Sequence, residues 1–179
     1  MGSWGYKHQK GEQVITITDN HGAVFAPLPG APVQETDIVL LPKGLHALKQ
    51  VATQGDLNLR GTYCNLDGGF DAKGNRKMIF NAGRIPNITE NSRNRKTTKR
   101  GRMRLFNNAI YALRMCVKRT LAWEDKFKRL RRRFERIQQR HNGMKLLAHT
   151  LINLRAFCGT SNFQPVNSHF AYVVTNGGL

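Results

Sequence analysis

The sequence predicts an α/β fold: a mixed sheet with helical cover, followed by long basic helices. Three observations predict it. Residues 13–18 read QVITIT, a β-branched run of alternating polarity. Leu41, Leu45, Leu48 and Ala52 then recur at helical spacing. Finally, the charge changes along the chain. Residues 91–140 carry 18 Lys/Arg against three acids, whereas residues 1–90 hold eight of the 11 acids.

The elements follow in order. The turn signal Asp19-Asn20-His21-Gly22 joins residues 13–18 to AVFAPL at 23–28, which reads as a hairpin. Pro27, Pro29 and Pro32 end its second strand. The leucine-spaced helix has Pro42 near its start and Gly55 at its close. Residues 62–66 form a short strand that runs into Asp67-Gly68-Gly69. Asp71 is placed to cap a helix over 72–82, which Gly83 ends, and residues 85–88 form a further strand. The apolar-free stretch NSRNRKTTKRGR reads as a loop. Two apolar stripes follow, Phe106-Ile110-Leu113-Val117 and Trp123-Phe127-Leu130-Phe134-Ile137. They are out of phase, so a break is expected between Val117 and Trp123. A last helix over 144–157 follows Gly143, and residues 160–179 are expected to form a poorly ordered tail.

Composition narrows the function. With 29 Lys+Arg against 11 Asp+Glu, the 179-residue chain carries +18, which points to a polyanionic partner, nucleic acid first. No run of 18 apolar residues exists, so no membrane partner is expected. The three cysteines are widely spaced and read as reduced thiols of a cytoplasmic protein, with no zinc-ligand pair. Asp67 is the first candidate for chemistry. It ends a buried strand, and two following glycines let a metal or phosphate approach; the competing reading is a plain Asp-Gly-Gly turn. The basic run around Arg129 and Arg131–Arg133 is a candidate phosphate-binding surface, its aromatics reading as core.

Three segments together resemble a known family. YCNLDGGFDAKGNRKMIFNAG at 63–83 resembles the second catalytic-Asp motif of bacterial insertion-sequence transposases of the DDE type, which belong to the ribonuclease-H-like superfamily. YALRMCVKRTLAWEDKFKRLRRRFERIQQRH at 111–141 resembles their helix signature, Tyr-x-x-Arg-x-x-x-Glu-x-x-x-x-x-x-Lys. KHQKGEQVITITDNHG at 7–22 is similar to the strand pair after their first catalytic Asp. The resemblance implies an incomplete ribonuclease-H-like mixed sheet, with 1–159 as the C-terminal part of a catalytic domain. It implies Mg²⁺ or Mn²⁺ held by three carboxylates, and cleavage and joining of DNA by in-line attack on a phosphodiester. DNA, as element ends and target, is the implied partner, and a homodimer is a possible assembly. The protein would then be associated with the bacterial nucleoid.

Carried over by position, Asp67 matches the second catalytic Asp and its metal-binding role, and Tyr111 and Arg114 match the DNA-contacting Tyr and Arg. Lys118 stands where the family has its catalytic Glu, and the signature Lys falls at Asp125, with Lys126 one step out of register. The strand bearing the first Asp is expected to be missing upstream, a truncation that would expose a sheet edge. Arg119, Lys126, Lys128, Arg129, Arg131, Arg132 and Arg133 complete the candidate DNA-binding set. The expected outcome is a catalytically incomplete transposase relative, with a non-catalytic DNA-binding competitor as the alternative. A Lys118 ammonium paired with Asp67 is expected in place of the metals.

Overall fold

The structure is a computed structural model and describes residues 2–3, 10–25, 30–32, 37–91, 104–132, 134–135, 137–159 and 171–176. The organising strand is β2 (Lys10–Thr18), which is flanked by three short strands, β1 (Gly2–Ser3), β3 (Val24–Phe25) and β4 (Gly30–Pro32), all antiparallel to it. Its alternation sets the layers. Ile15 and Ile17 point to one face, Val14, Thr16 and Thr18 to the other, and all five are buried.

On the isoleucine face lies helix α1 (Asp37–Gln54). Its Leu40, Leu41, Leu45, Leu48 and Ala52 join Ile15 and Ile17 in the main core. Gly44 lets the helix approach, since a Cβ there would sit 3.1 Å from Ile15 Cγ2. The helix begins several residues before the expected start, so Pro42 lies inside it. An interior proline costs about 3 kcal/mol. Complete burial of Leu40 and Leu41, worth roughly 1.5–3 kcal/mol each, offsets that cost.

The remaining parallel strands are β5 (Tyr63–Leu66) and β6 (Ile85–Ile88), linked by a 3₁₀ turn over Gly68–Phe70 and helix α2 (Lys73–Asn81). Cys64, Leu66, Phe70, Ile79 and Ile88 extend the same core. The expected Asp71 cap is not formed. Ala72 is the N-cap of α2 and makes no side-chain cap bond. The Asp71 carboxylate is instead taken by Arg76, Arg104 and the Asn91 N–H.

The basic half is far more broken than its stripes suggest. It forms α3 (Asn108–Ala112), α4 (Met115–Glu124), the single turn α5 (Lys128–Arg131) and α6 (Gln138–Gly159). The expected break between Val117 and Trp123 is absent. The interruptions fall at residues 113–114 and 125–127 instead, and α6 runs through Gly143. Of the two stripes, only Val117 and Leu130 are fully buried, while Phe134 and Ile137 are 59% and 50% exposed. Periodicity within each stripe assumed an unbroken helix, and each break rotates the next segment's face. Much of the basic loop, residues 92–103, lies outside the described residues.

The largest departure is at the C-terminus. Ala171–Asn176 forms strand β7, where the sequence reading has no element. It lies between β2 and β5, giving the order β1-β2-β7-β5-β6. It is antiparallel to β2 (Thr18↔Val173, Ile15↔Asn176) and parallel to β5 (Tyr63↔Ala171, Leu66↔Val174). The six-residue segment AYVVTN is short and β-branched, and two flanking strands supply ladder partners that a local reading cannot see. The fold is thus a mixed α/β arrangement.

Because β7 is central, Val174→Pro should remove a ladder donor where no edge tolerates it. We expect a loss on the order of 2–4 kcal/mol in urea unfolding. An unchanged midpoint would mean that the segment does not pair in solution.

Candidate functional site

Asp67 lies at the C-terminal end of β5, the end of a parallel sheet where ligands bind. It is exposed and N-caps the 3₁₀ turn, its Oδ1 accepting the Gly69 N–H at 2.9 Å. The turn geometry is therefore realised. Next to it, a position for a Cβ on Gly68 would stand 3.4 Å from Thr89 Oγ1, and that hydroxyl lies 3.3 Å from Tyr111 Oη. Tyr111 thus sits at the same edge of the sheet as Asp67. The Arg114 guanidinium stacks 4.7 Å above the Tyr111 ring, and Phe106 meets the ring at 5.0 Å.

A buried amide network holds Tyr111 there. Asn65 and Asn87 are register partners on β5 and β6, 0% and 1% exposed. Asn87 Nδ2 donates to Asn65 Oδ1 at 2.7 Å and to the Asn107 carbonyl at 3.0 Å. Asn87 Oδ1 accepts the Asn107 N–H at 2.9 Å, and Asn65 Nδ2 donates to the Ile110 carbonyl at 3.1 Å. Asn107 Oδ1 in turn caps α3 through the Ile110 N–H. The sequence reading passed over these asparagines. Their signal is an Asn at the third position of each of two otherwise mostly apolar four-residue strands, YCNL and IPNI.

Lys118 does not meet Asp67. Both side chains are exposed, and no ion pair joins them among the described residues. The expected pairing is thereby corrected, and the cause is how α4 docks. Val117 and Thr120 are completely buried. Thr120 Oγ1 donates to the Gly22 carbonyl at 2.7 Å, Cys116 Sγ to the Asn20 carbonyl at 2.8 Å, and Arg119 to the His21 carbonyl at 2.8 Å. Gly22, at φ +93°, permits this contact, since a Cβ there would fall 2.9 Å from Thr120 Oγ1. With the 116/117/120 face turned inward, position 118 faces out.

Two further acids, Asp71 and Glu124, are engaged structurally. The Asp71 side chain is 3% exposed, 2.9 Å from Arg76 and 2.7 Å from Arg104. Burial alone would raise its carboxyl. The Asn91 N–H and the two guanidinium groups outweigh burial and hold it below the ordinary carboxylate value. Glu124 is likewise pushed up by burial but pulled lower overall by the His149 hydrogen bond at 3.1 Å and by Lys145 at 3.3 Å. Burial drives the Cys64 thiol up to about 12, against the opposing pull of Arg84, so it is inert as a nucleophile.

These residues do not fit the metal pair that the resemblance implies. Among the described residues, no group of three or more His, Cys, Asp or Glu could hold a metal ion. Asp71 is already paired with two arginines.

Of the basic set, Lys118, Lys126, Lys128 and Arg132 are exposed and make no ion pair among the described residues. Arg119 is exposed but committed to the His21 carbonyl and the Trp123 ring at 5.5 Å, and Arg129 pairs with Glu135 at 2.6 Å. Arg131 lies in α5, but its side chain, like the whole of Arg133, is outside the described residues. No described helix is long and apolar enough to cross a membrane. The chain matches no family model, no curated protein sequence and no solved structure.

The depressed Asp71 carboxyl has a pH consequence. Its folded value lies below its unfolded one, so the stability it contributes is fully present above about pH 5. It is lost as pH falls through about 4 and past the folded value. Asp71→Asn should therefore flatten the acid limb of a stability–pH curve, and it should lower neutral-pH stability by about 3 kcal/mol. An unchanged acid limb in chemical denaturation from pH 3 to 7 would contradict this assignment.

Proposed function

We propose that this chain is a basic nucleic-acid-binding protein of α/β architecture. More particularly, we propose a DNA-binding relative of the DDE transposases whose carboxylate set is incomplete. The observation that carries the reading is the +18 charge, together with exposed Lys118, Lys126, Lys128 and Arg132 free of acidic partners among the described residues. Such ammonium and guanidinium groups release counterions from a phosphate backbone, which gives sequence-tolerant affinity. Tyr111 and Arg114 at the Asp67 edge add an aromatic and a cation beside that surface.

The strand order supports the ribonuclease-H-like part of this proposal. In the transposase scheme, the first and second catalytic acids serve one metal pair, so their strands must be neighbours. β7 is the parallel neighbour of β5 here. Beyond Val174, the register partner of Leu66, β7 continues with Thr175 and Asn176. It brings no carboxylate to Asp67. Magnesium chemistry needs several oxygen ligands around phosphate, so binding without cleavage is the activity that these residues favour.

Binding of a DNA duplex, followed by fluorescence anisotropy, should weaken with salt at a log–log slope of several units, roughly −0.9 per phosphate neutralised. Changing Lys126, Lys128 and Arg132 to Ala should lower that slope by about two to three units for every duplex sequence. A salt-independent affinity would sink the reading.

In Mg²⁺ or Mn²⁺, the purified chain should leave supercoiled DNA unnicked. Nicking that disappears in Asp67→Ala would overturn the incomplete-site reading in favour of an active transposase.

A further inference from the structure

Helix α6 is apolar on two opposite faces, and the fold uses only one. Ala148, His149 and Ile152 are 2%, 2% and 6% exposed and pack inward. Asn153 locks the same side to β3, its Nδ2 donating to the Val24 carbonyl and its Oδ1 accepting the Val24 N–H, at 3.0 and 2.9 Å. On the far side stand Leu147, Leu151 and Leu154, 52%, 46% and 54% exposed, with Leu146 at 39% on the flank. Leu147, Leu151, Leu154 and Cys158 follow a 4-3-4 spacing and fall within about 60° of one another around the helix. That is the seam of a helix pair, in which such knobs enter the holes of a facing helix.

We propose that this outward face of α6 docks a second copy of the chain, forming a two-fold dimer. Two observations choose that occupant. The first is charge. From Leu146 to Cys158 only Arg155 carries a full charge, in a chain of +18. This stretch can therefore face its own copy with little like-charge repulsion, whereas the neighbouring α5 surface cannot. The second is area. Four half-exposed leucines present on the order of 350 Å² of apolar surface per copy, the scale at which a patch marks an interaction site. Doubled by the two-fold, at the roughly 65% apolar content of homodimer interfaces, this corresponds to about 1,000 Å², the lower bound for a specific interface.

The dimer is held by apolar contact, so it behaves opposite to any association bridged by nucleic acid. Raising salt to about 1 M shortens the screening length to about 3 Å. That removes nucleic-acid bridges, weakens the repulsion between two cationic copies and leaves the leucine seam in place. The test is sedimentation velocity on the nuclease-treated full chain at tens of micromolar, at low and at high salt. We expect a dimer that persists or tightens at high salt. Leu151→Glu with Leu154→Glu should raise the dissociation constant at least about 100-fold, with the circular dichroism spectrum unchanged. If that double variant misfolds, Leu147→Lys, at the most N-terminal seam position, should give the same shift. A wild-type monomer at high salt, or a dimer indifferent to all three substitutions, would overturn the proposal and leave the nucleic-acid reading untouched.

Discussion

Asn87 makes three side-chain hydrogen bonds, each in a direction that the rest of the molecule needs. Its amide joins β6 to β5 through Asn65 and joins both strands to α3 through the main chain of Asn107. Inside a protein such bonds are strong, and leaving one of these groups unpaired costs about 1–3 kcal/mol. The network therefore fixes where the second helical layer meets the sheet. Tyr111 reaches Thr89 because α3 is pinned at Asn107, and Arg114 stacks on Tyr111 because the chain turns immediately after α3. The candidate surface thus depends on a contact that has no charge and no solvent exposure.

The sheet has two buried faces of different chemistry. The α1 side is aliphatic, with Ile15, Ile17, Cys64 and Leu66 against leucines of the helix. The α3/α4 side is polar, with Thr16, Thr18, Asn65 and Asn87 covered by helices that bring Thr120, Cys116 and main-chain carbonyls. A polar face buried in this way is specific rather than adhesive, because each group needs a partner at a defined place. That explains why α4 is clamped to the Asp19–Gly22 turn by three separate hydrogen bonds. It also leaves Lys118 on the exposed side of α4.

Charge is divided by the same architecture. Asp71 and Glu124 are consumed in ion pairs that hold elements together, Asp71 tying α2 to the segment before α3, and Glu124 tying α4 to α6. With these acids engaged inside, Lys118, Arg119, Lys126, Lys128 and Arg129 are left exposed. The result is a basic exterior over an interior in which carboxylates are already neutralised.

What could be read without the fold were the properties carried by neighbouring residues: the strand alternation at Ile15–Thr18, the leucine spacing of α1, the Asp67 turn, the glycine stop at Gly83 and the basic excess. Each depends on local sterics or composition. The tertiary structure decided the rest. It placed β7 between β2 and β5, because an unremarkable six-residue segment becomes a strand only when two ladders accept it. It moved the breaks in the two stripes between Phe106 and Ile137 to residues 113–114 and 125–127. It set Asp71 between two arginines, one of them 33 residues along the chain, instead of at the cap of its helix. It also turned Lys118 outward. These outcomes depend on partners distant in sequence, and the energy of a long-range pair is not encoded at either residue alone.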